Sequence, residues 1–359
     1  MTQLLFSIIV PVYQVKDYLP DCLESLMAQT LGDFEVICID DGSTDGSLAV
    51  LEAYASIDTR IRIISQSNAG LSAARNRGID AAMGRYLVFV DADDSLTPET
   101  CSVLAGKFAD STAEIVTFGA SLQPPEAHDS YLEALLSPRD VLYDGFSPQL
   151  LFRENSHPYV WRSAFSAGFF ERTGLRFDET VRFGEDEVFY FAAYPLSQRT
   201  LLISDKLYRY RLTRPDSLME GRRQSRGRIG DHLEIVRRVL ASWSELGLLG
   251  EYPGWFWEWV LEFVAYDIAS APPDEQAGLL RDLGAILALY LKADDLSGLG
   301  LMPASASVLS TVLRASEVGR PRITWSQLQR WRLARRWRLA RRWRLDKEGR
   351  DLIKPRAGR

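Results

Sequence analysis

Two acidic segments and one arginine-bearing loop carry the residues most able to do chemistry. Phe89-Val90-Asp91-Ala92-Asp93-Asp94 places three carboxylates within four positions at the end of an apolar run. Like charge concentrated so tightly is costly unless a cation or a hydrogen-bond network compensates it. Hard oxygen ligands suit Mg2+ or Mn2+, ions that commonly bridge a carboxylate and substrate phosphates. The competing reading is helix capping by Asp94 or Thr97, ahead of a helix opened by Pro98. Capping explains one such side chain, not three. Asp40-Asp41-Gly42-Ser43-Thr44-Asp45 is the second segment, and it reads equally as a plain turn, where Asp and Gly are locally favoured. Between them, Asn68–Gly78 combines small residues and Gly70 with Arg75. Such a loop-to-helix junction admits a phosphate close to the backbone, and Arg75 can add charge-assisted contacts.

The elements that must position these residues are legible as alternating patterns. Phe6–Val12, Phe34–Ile39, Arg60–Ile64, Tyr86–Val90 and Glu114–Phe118 read as strands. Helical spacing occupies Leu19–Met27, Ser47–Tyr54 and Ser72–Met83, with a further helix after Pro98. This succession predicts an α/β fold with a mostly parallel sheet flanked by helices. Ligands of such sheets bind outside the carboxyl ends of the strands, where both acidic segments fall.

With these motifs in order, the chain resembles the inverting glycosyltransferases of the family 2 type, which have the GT-A fold and include bacterial cell-surface polysaccharide enzymes. The resemblance rests on Ser7–Tyr13 (S-I-I-V-P-V-Y), Ile39–Asp45, Asn68–Gly78, Phe89–Asp94 and Phe183–Phe189 (F-G-E-D-E-V-F). It implies a hexosyltransferase with a nucleotide-sugar donor, UDP being the expected nucleotide, and Mn2+ or Mg2+ as cofactor. Pro11 and Tyr13 would line the base and ribose pocket, and Asp41 would accept from the base. Arg75 would face the diphosphate. Asp91 and Ala92 would lie along the donor, with Asp93 on the cation and Asp94 in support. Asp186 would be the catalytic base, with Glu185 beside it. A carboxylate among other acids and apolar groups suits that work, and a metal plus Arg would stabilise the leaving diphosphate. The bland alternative, acids in the first turn of a helix, is compatible with the same residues.

The middle of the chain implies the acceptor half. His157-Pro158-Tyr159-Val160-Trp161 and Leu207–Arg211, followed by Arg214 and Ser217, stand where related enzymes have V-W-x-K and Y-x-Y-R segments; Arg162-Ser163 departs from that pattern. His157, Trp161 and Arg211 are the expected acceptor-site residues. Alternating Tyr and Arg also describes a half-exposed strand. The expected divisions are 1–115 for the nucleotide-sugar half, 116–218 for the acceptor half, 219–318 for a helical region and 319–359 for a basic tail. Within the helical region, Trp255–Ile268 reads as an aromatic core helix or as an edge near lipid or an oligomer partner.

Composition bounds the rest. With 46% hydrophobic and 25% charged residues the chain is neither disordered nor collagen-like. Its net charge of -6 conceals an asymmetry: Arg320–Arg359 holds 15 basic and 3 acidic residues, leaving 27 basic and 45 acidic before it. In that tail W-R-L-A-R-R recurs from Trp331 and Trp337, and W-R-L restarts at Trp343. On a helix those tryptophans would lie about 120° apart, so no single apolar stripe forms. Interleaved Arg and Trp suit an anionic membrane interface; a nucleic acid, or no dedicated partner, are the alternatives. Deleting Arg320–Arg359 is expected to release the protein from anionic vesicles in a sedimentation assay while preserving reaction with a soluble acceptor. Sedimentation unchanged by the deletion would place the anchor elsewhere. Cys22, Cys38 and Cys101 lack the C-x-x-C spacing of a metal site. No run reaches the ~18 apolar residues of a membrane span, and no basic n-region precedes Leu4–Val12. The expected location is cytoplasmic, peripheral on the inner face of the membrane.

Three function classes compete: a transferase acting on a lipid-linked or cell-envelope glycan, a non-catalytic sugar-nucleotide-binding partner, and a tail-driven nucleic-acid-associated protein. Presence of both the D-x-D and the E-D motif favours the first, since a dead copy needs neither. A strongly acidic body repels polyanions, which disfavours the last.

Overall fold

In the computed structural model, which describes residues 4–318 and 321–331 except 155, 213–226, 266, 269, 270, 325 and 328, the expected strands form one sheet. Arg214, Ser217, Trp337, Trp343 and most of the basic tail lie outside the described residues. The chain divides into two compact units, Met1–Trp243 and Ser244–Arg359.

The first unit is built on β1 (Phe6–Val12), β2 (Phe34–Asp40), β3 (Ile61–Ser65) and β4 (Tyr86–Phe89), all parallel, in the order β3-β2-β1-β4. β1, β2 and β4 are buried along their whole length, as expected for strands covered on both faces. Register sets the site: Val12 pairs with Asp40 and Ile9 with Phe89, so Tyr13, Asp41 and Asp91 emerge from one sheet edge. Beyond β4 the sheet continues through β8 (Ser163–Ser166), β6 (Ile115–Gln123), β9 (Arg199–Arg211) and β5 (Ser95–Leu96), with β7 (Val141–Asp144) on β9. β8 runs antiparallel to both its neighbours, an insertion that no local pattern announces. The two expected divisions, 1–115 and 116–218, therefore share one sheet. β5 follows the aspartates directly and pairs Ser95 with Arg209 and Leu96 with Tyr208, which fastens the acidic loop to β9.

Helices α1 (Leu19–Met27), α2 (Ser47–Ile57), α3 (Leu71–Ala81) and α4 (Thr100–Ser111) connect the early strands, and α5 (Ser130–Leu135), α6 (Pro148–Phe152), α7 (Ala167–Thr173) and α8 (Glu185–Leu196) follow. α3 lies close to the sheet because residue 78 is glycine: a Cβ there would sit 2.3 Å from Ile9 Cγ2. That close approach brings Arg75, three residues earlier, over the carboxyl ends of the strands. α9 (Gly227–Glu245) runs to the end of this unit and buries Trp243, whose indole N–H donates to the Phe191 carbonyl at 2.8 Å.

The second unit is helical. α10 (Leu248–Glu251), α11 (Pro253–Val260), α12 (Pro273–Leu287) and α13 (Pro303–Leu313) surround buried Phe256, Trp257, Leu283 and Val312. The expected single helix Trp255–Ile268 turns π-helical at Leu261–Ala265. Glu258, the acid within this aromatic stretch, accepts from the Met302 N–H and the Ser305 hydroxyl and so caps the start of α13. Ile323 and Trp331 are buried, so the beginning of the expected tail is packed rather than free. No helix among the described residues is long and apolar enough to cross a membrane. All three cysteines are free and buried.

Candidate active site

Arg75 gathers the acids. It projects from α3, is 1% exposed, and its Nη1 donates to Asp186 Oδ1 at 2.6 Å and to Glu185 Oε1 at 3.0 Å. Its Nη2 reaches Asp91 Oδ1 at 3.3 Å. The guanidinium lies over the Phe177 ring, 5.3 Å from its centroid, which leaves water little access from that side. Three segments far apart in sequence, the strand-end aspartates, the arginine loop and the E-D turn, thus meet at one buried cation.

One positive charge does not neutralise three carboxylates. Burial raises the Asp91 carboxyl to about 6; Arg75 opposes the shift, and repulsion from Asp93 and Asp186 adds to it. Glu185 is raised to about 7 by burial and then by the charge of Asp186, against the pull of Arg75. The linkage sign follows. Below about 4.5 Glu185 is protonated in both folded and unfolded chains, and its contribution is complete. Between about 4.5 and about 7 the folded chain holds the proton and the unfolded chain releases it, so stability falls as pH rises. Glu185→Gln removes this loss. The variant's melting temperature should exceed that of the wild type by more at pH ~8 than at pH ~5; an equal offset at both would remove Glu185 as the titrating group.

The E-D turn owes its position to Gly184, which adopts φ +73° at the N-terminus of α8, and a Cβ there would lie 2.3 Å from Ile235 Cδ1. Glu185, Asp186 and Glu187 all occupy the first helical turn, where acids suit the helix dipole. Asp186 is oriented twice, by Arg75 at Oδ1 and by the Val160 N–H at Oδ2, 3.0 Å away.

Around this centre the other expected residues fall into two groups. Tyr13 is 49% exposed at the sheet edge, next to buried Pro11. Asp41 is buried; its Oδ1 accepts from Gln66 Nε2 and the Ala69 N–H, and its Oδ2 from the Gly70 N–H, so it braces the arginine loop. Asp40 and Asp45 serve the turn itself, accepting from the Ser43 N–H and from the Ser47 and Lys16 N–H groups. Ala92 is buried, and Asp93 is half-buried. Asp94 does not cap the following helix, nor does Thr97: the N-terminus of α4 has no side-chain cap. Instead Asp94 accepts from the Tyr208 hydroxyl at 2.8 Å and the Arg211 N–H at 2.7 Å, and burial together with Asp93 and Asp91 pushes its carboxyl well up.

Of the expected acceptor residues, His157 and Trp161 are largely buried, and Arg211 is half-buried. Arg211 donates from Nε to the Asp93 carbonyl at 2.9 Å and from Nη2 to Asp21 at 2.8 Å, clamping the acidic loop. Trp161 is 2% exposed and stacked on Tyr208, with centroids 4.1 Å apart. His157 faces Glu187 and the Leu151 carbonyl. Tyr208 was not singled out by its sequence, although its hydroxyl, which donates to Asp94, also accepts from the Asp91 N–H at 3.1 Å. Its signal is the alternation in L-Y-R-Y-R, which turns Tyr208 inward.

Could these residues hold a divalent cation? Among the described residues no group of three His, Cys, Asp or Glu converges as a ligand set. A cation would therefore need oxygens from a bound diphosphate alongside one or two carboxylates, the habit of Mg2+. The half-buried Asp93 fits that role. It lines, with Asp94, Arg209 and Arg211, a cavity of about 420 Å³.

A mostly parallel sheet with a second, mixed half and an aspartate loop at its switch from β4 defines the GT-A class of fold. Residues 7–136 match the family described as "Glycosyl transferase family 2". The uncharacterized glycosyltransferase EpsJ of Bacillus subtilis is 38% identical over 218 residues, 60% of this chain and 63% of that protein. Glycosyltransferase GlyA of Streptococcus pneumoniae is 34% identical over 214 residues, 57% of this chain and 30% of that protein. The chain thus spans less than two thirds of these curated relatives. The crystal structure of S. aureus TarS 1-349 in complex with UDP has a TM-score of 0.64 at 18% identity, covering 87% of this chain and 91% of that one.

Proposed function

We propose that the protein is a glycosyltransferase of bacterial cell-surface glycan synthesis. It moves a sugar, with inversion, from a nucleoside-diphosphate donor, UDP being the expected nucleotide, to a hydroxyl of a lipid-linked or cell-envelope glycan. The observation that carries this reading is the Arg75 cluster, in which one arginine joins the donor aspartate Asp91 to Glu185 and Asp186, 110 and 111 positions from that arginine. UDP in the TarS structure and the glycosyltransferase names of the relatives support the donor class.

Each residue then has a task. Tyr13 offers an exposed ring for the base, and Pro11 the floor beside it. The Asp91–Arg75 contact is the longest of the three around the arginine, and a donor phosphate would compete for it. Asp186 takes the proton of the acceptor hydroxyl as the hydroxyl oxygen bonds the anomeric carbon and the bond from that carbon to the diphosphate breaks. Held by Asp93, Mn2+ or Mg2+ would supply charge stabilisation for the departing diphosphate. Glu185, protonated over part of the neutral range, limits repulsion beside the base.

A donor panel tests the reading: UDP-glucose, UDP-galactose, UDP-N-acetyl sugars and GDP-mannose, followed by nucleotide release with Mn2+ or Mg2+ and by the anomeric configuration of the product. Release from one UDP-sugar, dependent on acceptor, is expected. Tight donor binding without release under any condition would instead favour a non-catalytic binding module.

A further inference from the structure

We propose that His157, paired with Glu187, is a positioning residue that fixes the orientation of Asp186 through the Val160 N–H, and that it does not itself touch the acceptor. The proposal rests on Asp186 being the base.

Both ring nitrogens of His157 are engaged: Nδ1 lies 2.9 Å from Glu187 Oε2 and Nε2 lies 2.5 Å from the Leu151 carbonyl. A carbonyl only accepts, so Nε2 carries a hydrogen; the Glu187 carboxyl opposite Nδ1 favours a second hydrogen there. Burial would lower the imidazole, but the charge and hydrogen bond of Glu187 outweigh it and the result is a raised value; Arg162, the other charged group facing the ring, acts weakly in the opposite sense. His157 and Glu187 are only 15% and 9% exposed at their side chains, so no acceptor sugar reaches a free nitrogen.

What the pair holds is the turn before β8. Glu187, Tyr190 and Tyr194 lie at i, i+3 and i+7, one face of α8. Each grips a different point of that turn: Glu187 binds His157, the Tyr194 hydroxyl donates to the Ser156 carbonyl at 3.0 Å, and the Tyr190 hydroxyl meets Ser163 Oγ at 2.7 Å. Val160 lies between these points, and its N–H returns to Asp186 on the same helix. The ladder thus closes a loop that begins and ends on the first turn of α8. Of its three rungs only His157–Glu187 sets an imidazole against a carboxyl group, and it sits next to the base.

The test uses the full chain and the variants H157F, H157Q and E187Q. Phenylalanine keeps a ring against Phe191, whose centroid is 6.0 Å from that of His157, but removes both hydrogen bonds. Hydrogen exchange at the Val160 amide, read without any substrate, should quicken by roughly tenfold or more in H157F, in E187Q and in the control D186A, with H157Q between. With the UDP- or GDP-sugar that supports nucleotide release, kcat should fall by roughly tenfold or more while donor KM stays within about twofold. Should H157F fail to fold, E187Q carries both measurements. Unchanged Val160 exchange in a folded H157F or E187Q, with D186A quickened, would overturn the proposal, as would wild-type kcat in H157F. If instead D186N still turns over, the assignment of the base fails, and the exchange data alone judge the positioning of Asp186.

Discussion

Asp186→Asn is expected to lower kcat by ~10²–10⁴-fold while leaving donor KM nearly unchanged, the span that general-base catalysis typically supplies. Asparagine is close in shape, and its Oδ1 can still accept from the Val160 N–H. It can neither take a proton from the acceptor hydroxyl nor pair with the Arg75 guanidinium. The donor contacts proposed for Tyr13, Asp91 and Asp93 are untouched, so binding should survive. Steady-state kinetics with calorimetric donor titration separates the two effects. Turnover within about threefold of wild type would exclude Asp186 as base.

Arg75→Ala should have the second large effect, and on stability as well as on rate. Removing one partner of a buried ionic cluster typically costs about 3–5 kcal/mol, because the remaining charges stay buried and uncompensated. Here Asp91, Glu185 and Asp186 would face one another without a cation. The loss should be greatest at alkaline pH and partly relieved in mild acid, where the raised carboxyls of Asp91 and Glu185 take up protons. Arg75→Lys keeps the charge but not the fork that serves three partners, so it should retain fold and lose activity. Thermal melts at several pH values check the first statement and kcat the second. An R75A protein as stable as wild type at pH ~8 would mean that water, not Arg75, solvates the acids.

Much of this arrangement was legible in the sequence because the chemistry sits in strand ends. β1 and the first residues of β2 fall where their β-branched runs place them, and the acidic segments follow at the carboxyl ends as parallel-sheet geometry requires. What the sequence did not disclose is partnership. Arg75 was expected to face a diphosphate, yet in the folded chain its Nη atoms are committed to carboxylates that lie up to 111 positions away. Nothing local predicts such a pairing; it arises from the packing of α3 on β1 and of α8 beside them. His157, Trp161 and Arg211 carry the same lesson in reverse. Their types invited a reading as acceptor-site residues; no local pattern announces that Trp161 packs on Tyr208, that His157 meets Glu187, or that Arg211 holds the Asp93 carbonyl. Likewise Glu258 and the π-helical turn at Leu261–Ala265 depend on contacts within the helical unit that periodicity does not encode.

The most direct test of sugar transfer by a single base is the anomeric configuration of the product, determined by NMR for the donor of the panel that releases nucleotide. One-step attack from the face opposite the diphosphate, with Asp186 accepting the hydroxyl proton, predicts a product whose anomeric centre is inverted relative to the donor. A product that keeps the donor's configuration would contradict it, because retention requires a mechanism in which Asp186 is not the lone base.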